Sequence, residues 1–583
     1  MTSERAMARG KPEGTPRPFQ WRGWGRGLAG RWPAGRIGLA LAALGVLALN
    51  VALHTIRLAA APGWDPQEGY NLDIAWNLLH GRLRLFALTS AFGQHPPLFY
   101  LLLAALIHLF GYSIVTLRAL VALYALLTCA VLLDLGRRAV GVGPALWAGV
   151  VFTVAPTFLA NTRWGYSYSQ LMFVAVLCLW ALWRFLETGG TRWCVLAALL
   201  AALGVLSDYE GVALIALVVV VVWSRAGRGM AARAAALAAA PPLLGLLLGV
   251  IASPGVFGAD LLDTFHRASG GSPALALVLA LVNYYRLVTL DVWIALGVFG
   301  LFLVGAGRAR LLLWLYAALM GAVVVWVRAL GPSLHTAVPL LPPLALGAGL
   351  AIHLGVRRLF AWVAGDLPPR SPSLAGMGKM GTGDPPVTRL GESSAGEGPS
   401  PRRGGTGGKA VRPRALLAAA VLFVVIASPL AVALAGDAAG LASTFPTRND
   451  AAIATAPAEA QAAARFVLAH ARPGDLTLGS PQVVWLLDQP EGAGGGTRPI
   501  YGADLLQAVA YQGHAAAFYP AGLPRGRWAY DVSLARARYV IVDDLIRRLA
   551  APDQVPGLIP LLGTVGAWPV VYHHGEYTIY QRP

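Results

Sequence analysis

Residues 96–111 read PPLFYLLLAALIHLFG, an apolar run about the size of a membrane crossing. Whether it crosses decides the fold, because every span reverses the side of all that follows. Basic residues recur between the later apolar blocks: Arg137-Arg138, Glu187 to Arg192, Arg225 to Arg233, Arg308-Ala309-Arg310, and Arg357 to Arg414. Arginine-rich short loops mark the cytoplasmic side. Counting 96–111 as a span would send Arg137 and Arg138 outside and carry every later basic loop with them. The run is therefore read as a short helix along the outer membrane surface. Eleven spans remain, at 37–57, 113–135, 142–160, 167–186, 192–207, 210–224, 234–252, 288–306, 311–328, 336–352 and 415–434. The loops 58–112, 161–166, 207–210, 253–287 and 329–335 then face outward. Segment 68–80 has an apolar stripe at Leu72, Ala75, Trp76 and Leu79, which predicts a second interfacial helix in the first external loop.

The composition agrees. Of 583 residues, 56% are hydrophobic and 13% charged, and the mean hydropathy is +0.59. That excludes a soluble multidomain enzyme. The net charge of +18 sits in arginines between apolar blocks, as membrane topology demands, and is not read as a nucleic-acid surface. Cys129, Cys178 and Cys194 lie in or beside apolar blocks and make neither a disulfide framework nor a CxxC metal motif.

The expected class is a polytopic α-helical membrane protein with a C-terminal external soluble α/β domain. Residues 1–36 form a basic cytoplasmic tail with Arg5, Arg9, Lys11 and Arg17, and no clear cleavage site closes the first apolar run. Residues 37–353 form the membrane domain. Residues 354–414 are a cytoplasmic linker, rich in Gly, Pro and Ser over 366–412. Residues 415–435 hold the last span, and 436–583 the extracytoplasmic domain. There a helix is expected over 457–471, a strand after Pro473-Gly474-Asp475, and strands at 539–544 and 577–583.

The external loops collect acids, aromatics and histidines. Trp64-Asp65-Pro66-Gln67-Glu68-Gly69-Tyr70 follows the first span directly. Asp65 and Glu68 are three apart, the spacing of a capping box, and equally a pair able to act as general base and as cation or sugar-hydroxyl ligand. Both readings stand. His95 precedes a double proline, and Arg118 lies in the outer turns of the second span, as functional charge or as a snorkelling headgroup contact. Arg163, Tyr166, Tyr168, Asp208 and Glu210 share that side. Asp260, Asp263, His266 and Arg267 read as a solvated loop face, although their spacing loosely suggests a metal. Arg286 and His335 could hold a phosphate. No GxxxxGK[ST], HExxH or GxSxG occurs, so an activated substrate arriving within the membrane is favoured over a soluble nucleotide.

Glu68-Gly69-Tyr70 through Leu79-His80-Gly81, His95-Pro96-Pro97-Leu98-Phe99-Tyr100 through Phe110-Gly111, Arg118, and the stretch HTAVPLLPP at 335–343 together resemble the GT-C glycosyltransferases. The resemblance covers about residues 37–435. It is nearest the bacterial branch related to protein O-mannosyltransferases and to the lipid A aminoarabinose transferase. It implies a GT-C fold and a polyprenyl-phosphate sugar donor taken from the external side. A first-loop acid would activate an acceptor hydroxyl, with inversion at the anomeric carbon. The acceptor would be a protein, lipid or glycan. The implied catalytic residues are Glu68 and Asp65, with Glu68 expected to matter more. The implied donor-phosphate ligands are His95, His335, Arg118 and Arg286, and the substrate contacts Tyr70, Tyr100, Tyr166, Asp208 and Glu210. Some relatives use a divalent cation, Mg or Mn, which Asp65 and Glu68 would hold. The chain departs from the family pattern in two places. Gln67-Glu68 stands where an adjacent Asp-Glu is usual, and Asn161 to Gln170 contains no acid. A lipid-linked glycan polymerase or ligase on the same fold is the nearest alternative. A transporter would predict an internal repeat, and none is found.

Overall fold

The computed structural model describes residues 33–61, 63–81, 96–252, 278, 291–305, 307–327, 334–364, 431–432, 434–435, 457–472, 474–487, 501–504, 533–550 and 557–583. The membrane part runs α1 (Pro33–Thr55), α2 (Pro66–Leu79), α3 (Leu98–Phe110), α4 (Ile114–Ala139), α5 (Val142–Val154), α6 (Pro156–Arg163), α7 (Ser167–Thr188), α8 (Thr191–Ser207), α9 (Val212–Ala226), α10 (Arg228–Ala252), α11 (Val292–Leu303), α12 (Arg308–Val327) and α13 (Leu341–Ala364). A helix thus occupies each of the first ten expected spans. The eleventh, 415–434, lies almost wholly outside the described residues. Among those residues six helices are long and apolar enough to cross a membrane, or seven if a bent pair counts as one span.

The bent pair falls on one expected span. Residues 142–160 are expected as a single span, and there α5 and α6 meet at 62°. Pro156 offers no N–H to continue the helix and pushes Ala155 out of helical geometry, here to φ −68°, ψ 122°. The break turns α6 so that Thr162 and Arg163 meet the end of α1.

Helix α3 has 13 residues and is about 20 Å long, well short of the roughly 30 Å hydrocarbon core. Phe99, Tyr100, Leu103, Ala104 and Ile107 are buried, while Leu101, Leu102, Leu109 and Phe110 are exposed. In α2 the residues of the predicted stripe divide. Leu72 and Ala75 are buried, but Trp76 is half-buried and Leu79 is 36% exposed. The protein-facing side instead buries Glu68, Asn71, Asp73 and Asn77. These four polar side chains are covered by protein.

Part of that cover comes from the membrane helices and part from the C-terminal domain. It comprises α14 (Pro457–His470), β1 (Leu476–Gly479), α15 (Pro481–Val484), β2 (Tyr501–Asp504), β3 (Ala537–Val542), α16 (Asp544–Leu549), α17 (Leu558–Gly566), β4 (Val570–His574) and β5 (Tyr577–Gln581). The sheet order is β2-β1-β3-β5-β4. Strands β2, β1 and β3 are parallel, and β5 is antiparallel to both of its neighbours, β3 and β4. The helix at 457–471 and three strands match expectation; β2 and β4 were not foreseen. Val483, Val484, Trp485, Tyr539, Ile541 and Tyr577 share one buried apolar cluster with Trp64, Leu72, Phe99, Tyr100 and Ile114. The domain and the first interspan loop are therefore packed at the same end of the bundle.

Candidate functional site

Asp65 takes extended geometry (φ −89°, ψ 145°) and caps α2, with Pro66 at the first helical position. Its Oδ1 accepts from the Gln67 N–H at 2.8 Å. Glu68 reaches back to accept from the Asp65 N–H at 3.1 Å, which completes the capping box read from the sequence. The carboxylate of Glu68 does more. It accepts from Arg118 Nε and Nη2, both at 2.7 Å, and from the Gly165 N–H at 2.8 Å. Both side chains of this ion pair are 0% exposed.

Arg118 is fully committed. A guanidinium has five N–H donors, and Arg118 makes five hydrogen bonds. Besides the two to Glu68, Nη1 donates to the carbonyls of Leu58 and Ala61 at 2.9 Å, and Nη2 donates to that of Gly63. All five of its N–H groups are thus engaged within the protein. Arg163 works beside it, donating to the carbonyls of Leu53, Ile56 and Ala61. Two buried arginines thus gather the carbonyls where α1 ends and the chain turns toward Asp65. Carbonyls at a helix C-terminus carry partial negative charge, which suits cationic donors.

The same arrangement disposes of Glu68 as a metal ligand. The guanidinium occupies the side of the carboxylate where a cation would sit, so the Asp65–Glu68 pair does not fit a divalent ion. Among the described residues no group of three His, Cys, Asp or Glu is placed to hold a metal.

Around this keystone, Asn71 Nδ2 donates to the Gly165 carbonyl at 2.7 Å, so α2 grips the 163–168 turn through both Glu68 and Asn71. Trp164, Tyr166 and Tyr168 are buried there. Tyr100 of α3 is also buried, and its phenol is pushed well above the ordinary tyrosine range, first by burial and then by the negative fields of Asp208 and Tyr168. Tyr100 on α3, Tyr168 at the start of α7 and Asp208 before the 209–211 turn therefore lie close enough to feel one another's charge. Asp208 caps the turn by accepting from the Glu210 N–H at 3.2 Å, and Glu210 is 1% exposed. Tyr70 is half-buried on α2. His335 falls in the 3₁₀ turn Leu334–Leu340 before α13. His95, Arg286, Asp260, Asp263, His266 and Arg267 lie outside the described residues.

Three features escaped the sequence reading. Asp291 caps α11 and accepts from Thr157 Oγ1 of the bent α6, giving another carboxylate at this end; a lone acid opening an apolar run was the available signal. His54 in α1 bridges the Asn50 carbonyl and Thr162 Oγ1 at 2.8 and 2.9 Å. Gly69 approaches Pro481 so closely that a Cβ there would lie 1.9 Å from its carbonyl oxygen.

A family described as dolichyl-phosphate-mannose-protein mannosyltransferase matches residues 94–252. No curated protein matches the sequence. Among solved structures, ArnT from Cupriavidus metallidurans in the apo state has 15% identity and a TM-score of 0.51, over 94% of this chain and 98% of that one. The same protein bound to undecaprenyl phosphate gives 15% and 0.50 over the same shares. The Archaeoglobus fulgidus oligosaccharyltransferase in the apo form has 13% identity and a TM-score of 0.52, over 90% of this chain and 72% of that one. At these identities the likeness is one of architecture: the chain shares the fold of these two membrane proteins.

Proposed function

We propose that this chain is an inverting glycosyltransferase that moves a sugar from a polyprenyl-phosphate donor to an acceptor hydroxyl at the extracytoplasmic face. The observation that carries the reading is the cluster at one end of the bundle, where a dry Glu68–Arg118 pair fixes an acidic turn between membrane helices and a soluble domain. The fold shared with ArnT extends over most of the chain.

The geometry supports the following roles. Glu68 holds the turn, since its oxygens are taken by Arg118, Gly165 and Asp65. Asp65 is then assigned as the proton acceptor, because it is the neighbouring first-loop carboxylate and commits Oδ1 to a backbone N–H that orients it. The acceptor O–H gives its proton to Asp65, its oxygen bonds to the anomeric carbon, and the carbon–phosphate-oxygen bond breaks with its electrons on the polyprenyl phosphate. His95, His335 and Arg286 are the proposed partners for that developing charge. Tyr70, Tyr100, Tyr166, Asp208 and Glu210 are the proposed substrate contacts.

The topology belongs to the same proposal: eleven spans, N-terminus and residues 354–414 cytoplasmic, residues 436–583 outside. The opposite end of the bundle supports it, for there Arg138 meets Glu187 and Arg308 donates to the Leu186 carbonyl at 2.7 Å, joining basic loops expected on one side. A donor panel tests the function. The purified full chain should consume a polyprenyl-phosphate monosaccharide and ignore UDP- and GDP-sugars once lipid is removed. Transfer directly from a nucleotide sugar would refute the proposal, and turnover confined to donors bearing a long glycan would move it to a ligase.

A further inference from the structure

Besides the arginine keystone, a second contact reaches the acidic turn, from more than four hundred residues away in sequence. Trp485, 2% exposed, meets the ring of Trp64 edge-on, with centroids 5.2 Å apart and planes at 65°. It meets Tyr112, just before α4, at 5.9 Å and 81°. On its other flank lies Gly69, where an added Cβ would stand 2.9 Å from Trp485 Cδ1 and 1.9 Å from the Pro481 carbonyl oxygen. Trp64 immediately precedes Asp65 and Gly69 immediately follows Glu68. The Pro481–Trp485 turn therefore touches the acidic segment at both ends.

The contact continues inward. The Trp64 indole N–H donates to the Ala59 carbonyl at 2.8 Å, inside the turn whose neighbouring carbonyls Arg118 and Arg163 gather. The indole N–H of Trp485 itself meets no acceptor among the described residues, so that side chain contributes shape and apolar contact there. An aromatic ring in such a place fixes position without adding charge.

We propose that Trp485, set against Trp64 and Gly69, is a positioning residue through which the C-terminal domain sets the placement of Asp65. The catalytic half of this inference rests on the glycosyltransferase reading above; the mechanical half does not. A displacement of about 1 Å in a reacting group can cost up to about a hundredfold in rate, so a side chain that touches no substrate can still govern turnover.

The experiment uses the full chain in lipid nanodiscs, with variants W485F, W485L and G69A. Amide hydrogen exchange over 66–79 is compared with exchange over 457–470, and kcat and KM are measured with a polyprenyl-phosphate monosaccharide. W485F keeps an edge-on ring and loses no described hydrogen bond, so it should match the parent in both measurements. W485L and G69A should loosen 66–79 while 457–470 stays protected, and should lower kcat at least tenfold with the donor KM within twofold. Unchanged exchange over 66–79 in W485L would overturn the proposal, as would a raised KM at unchanged kcat. Lost protection over 457–470 would equally overturn it, by assigning Trp485 to the domain's own folding. A parent protein inactive on every lipid-linked donor would refute the glycosyltransferase reading alone, because the exchange comparison needs no turnover.

Discussion

Helix α4 carries an arginine–carboxylate cluster at each end, and the two obey different electrostatics. At its start, Arg118 and Glu68 are both 0% exposed and every guanidinium N–H is used. At its end, Asp134 is shared by Arg137, by Arg138 Nε at 2.7 Å and by the Trp180 indole at 2.8 Å, with the charged side chains between 27% and 53% exposed. Glu187 extends that cluster, accepting from Arg184 at 3.0 Å. The buried pair was taken out of water, and its desolvation is offset only by complete hydrogen bonding. The exposed cluster keeps its hydration and gains little from pairing. One end is a keystone; the other is a hydrated loop anchor.

The largest expected effect comes from breaking the keystone on one side. In R118M, Glu68 is left buried without its cation, a defect that typically costs about 3–5 kcal/mol. The first loop should lose its hold on both the 57–63 turn and Gly165. A large fall in the apparent melting temperature and loss of folded protein should follow. The double variant E68Q/R118M removes both charges and should recover part of the loss. If R118M alone unfolds at the parent temperature, the keystone description is wrong.

How much of this was legible differs along the chain. Asp65-Pro66-Gln67-Glu68 announced a capping box, because side-chain caps act on backbone only two or three residues away. The apolar blocks announced helices, which occupy the first ten expected positions, although among the described residues only six or seven are long and apolar enough to cross a membrane. The break before Pro156 was equally readable and was overlooked. The partners of Arg118 were not legible: three are backbone carbonyls, which every residue possesses, so nothing in Leu58, Ala61 or Gly63 advertises an acceptor. Strand β4 pairs with β5 across the short Gly575-Glu576 turn, a local hairpin that was open to reading, whereas β2 is four residues long and pairs with β1, well back in the sequence. Trp485 against Gly69 belongs to the same class, a long-range contact between two local patterns that each look ordinary.

A second comparison separates the two first-loop acids by what they lose. Asparagine caps a helix about as well as aspartate, so D65N should leave the melting temperature within a few degrees. It removes the proposed proton acceptor, and kcat should fall by about 10²–10⁴-fold. E68Q should show the reverse order, with instability first and lost turnover as its consequence. Matched folded protein at saturating donor is the condition for the measurement. A D65N enzyme with parental kcat would return the chemistry to Glu68 or remove it from this loop.

The smallest effect should come from the wet end, and ionic strength is what makes it informative. D134N keeps the size of the side chain and an acceptor for the Trp180 indole, while removing the charge that Arg137 and Arg138 share. Exposed pairs of this kind contribute about 0–1 kcal/mol. The Debye length falls from about 10 Å at 0.1 M salt to about 3 Å at 1 M, so high salt should erase most of the difference between D134N and the parent. The same salt should leave the R118M deficit almost unchanged, because no ions or water reach a pair that is 0% exposed on both sides. Melting temperatures of both variants at low and high salt therefore test the contrast directly. A salt-sensitive R118M would mean that water enters the keystone, and a salt-resistant D134N deficit of several kcal/mol would mean that the hydrated end bears structural charge as well.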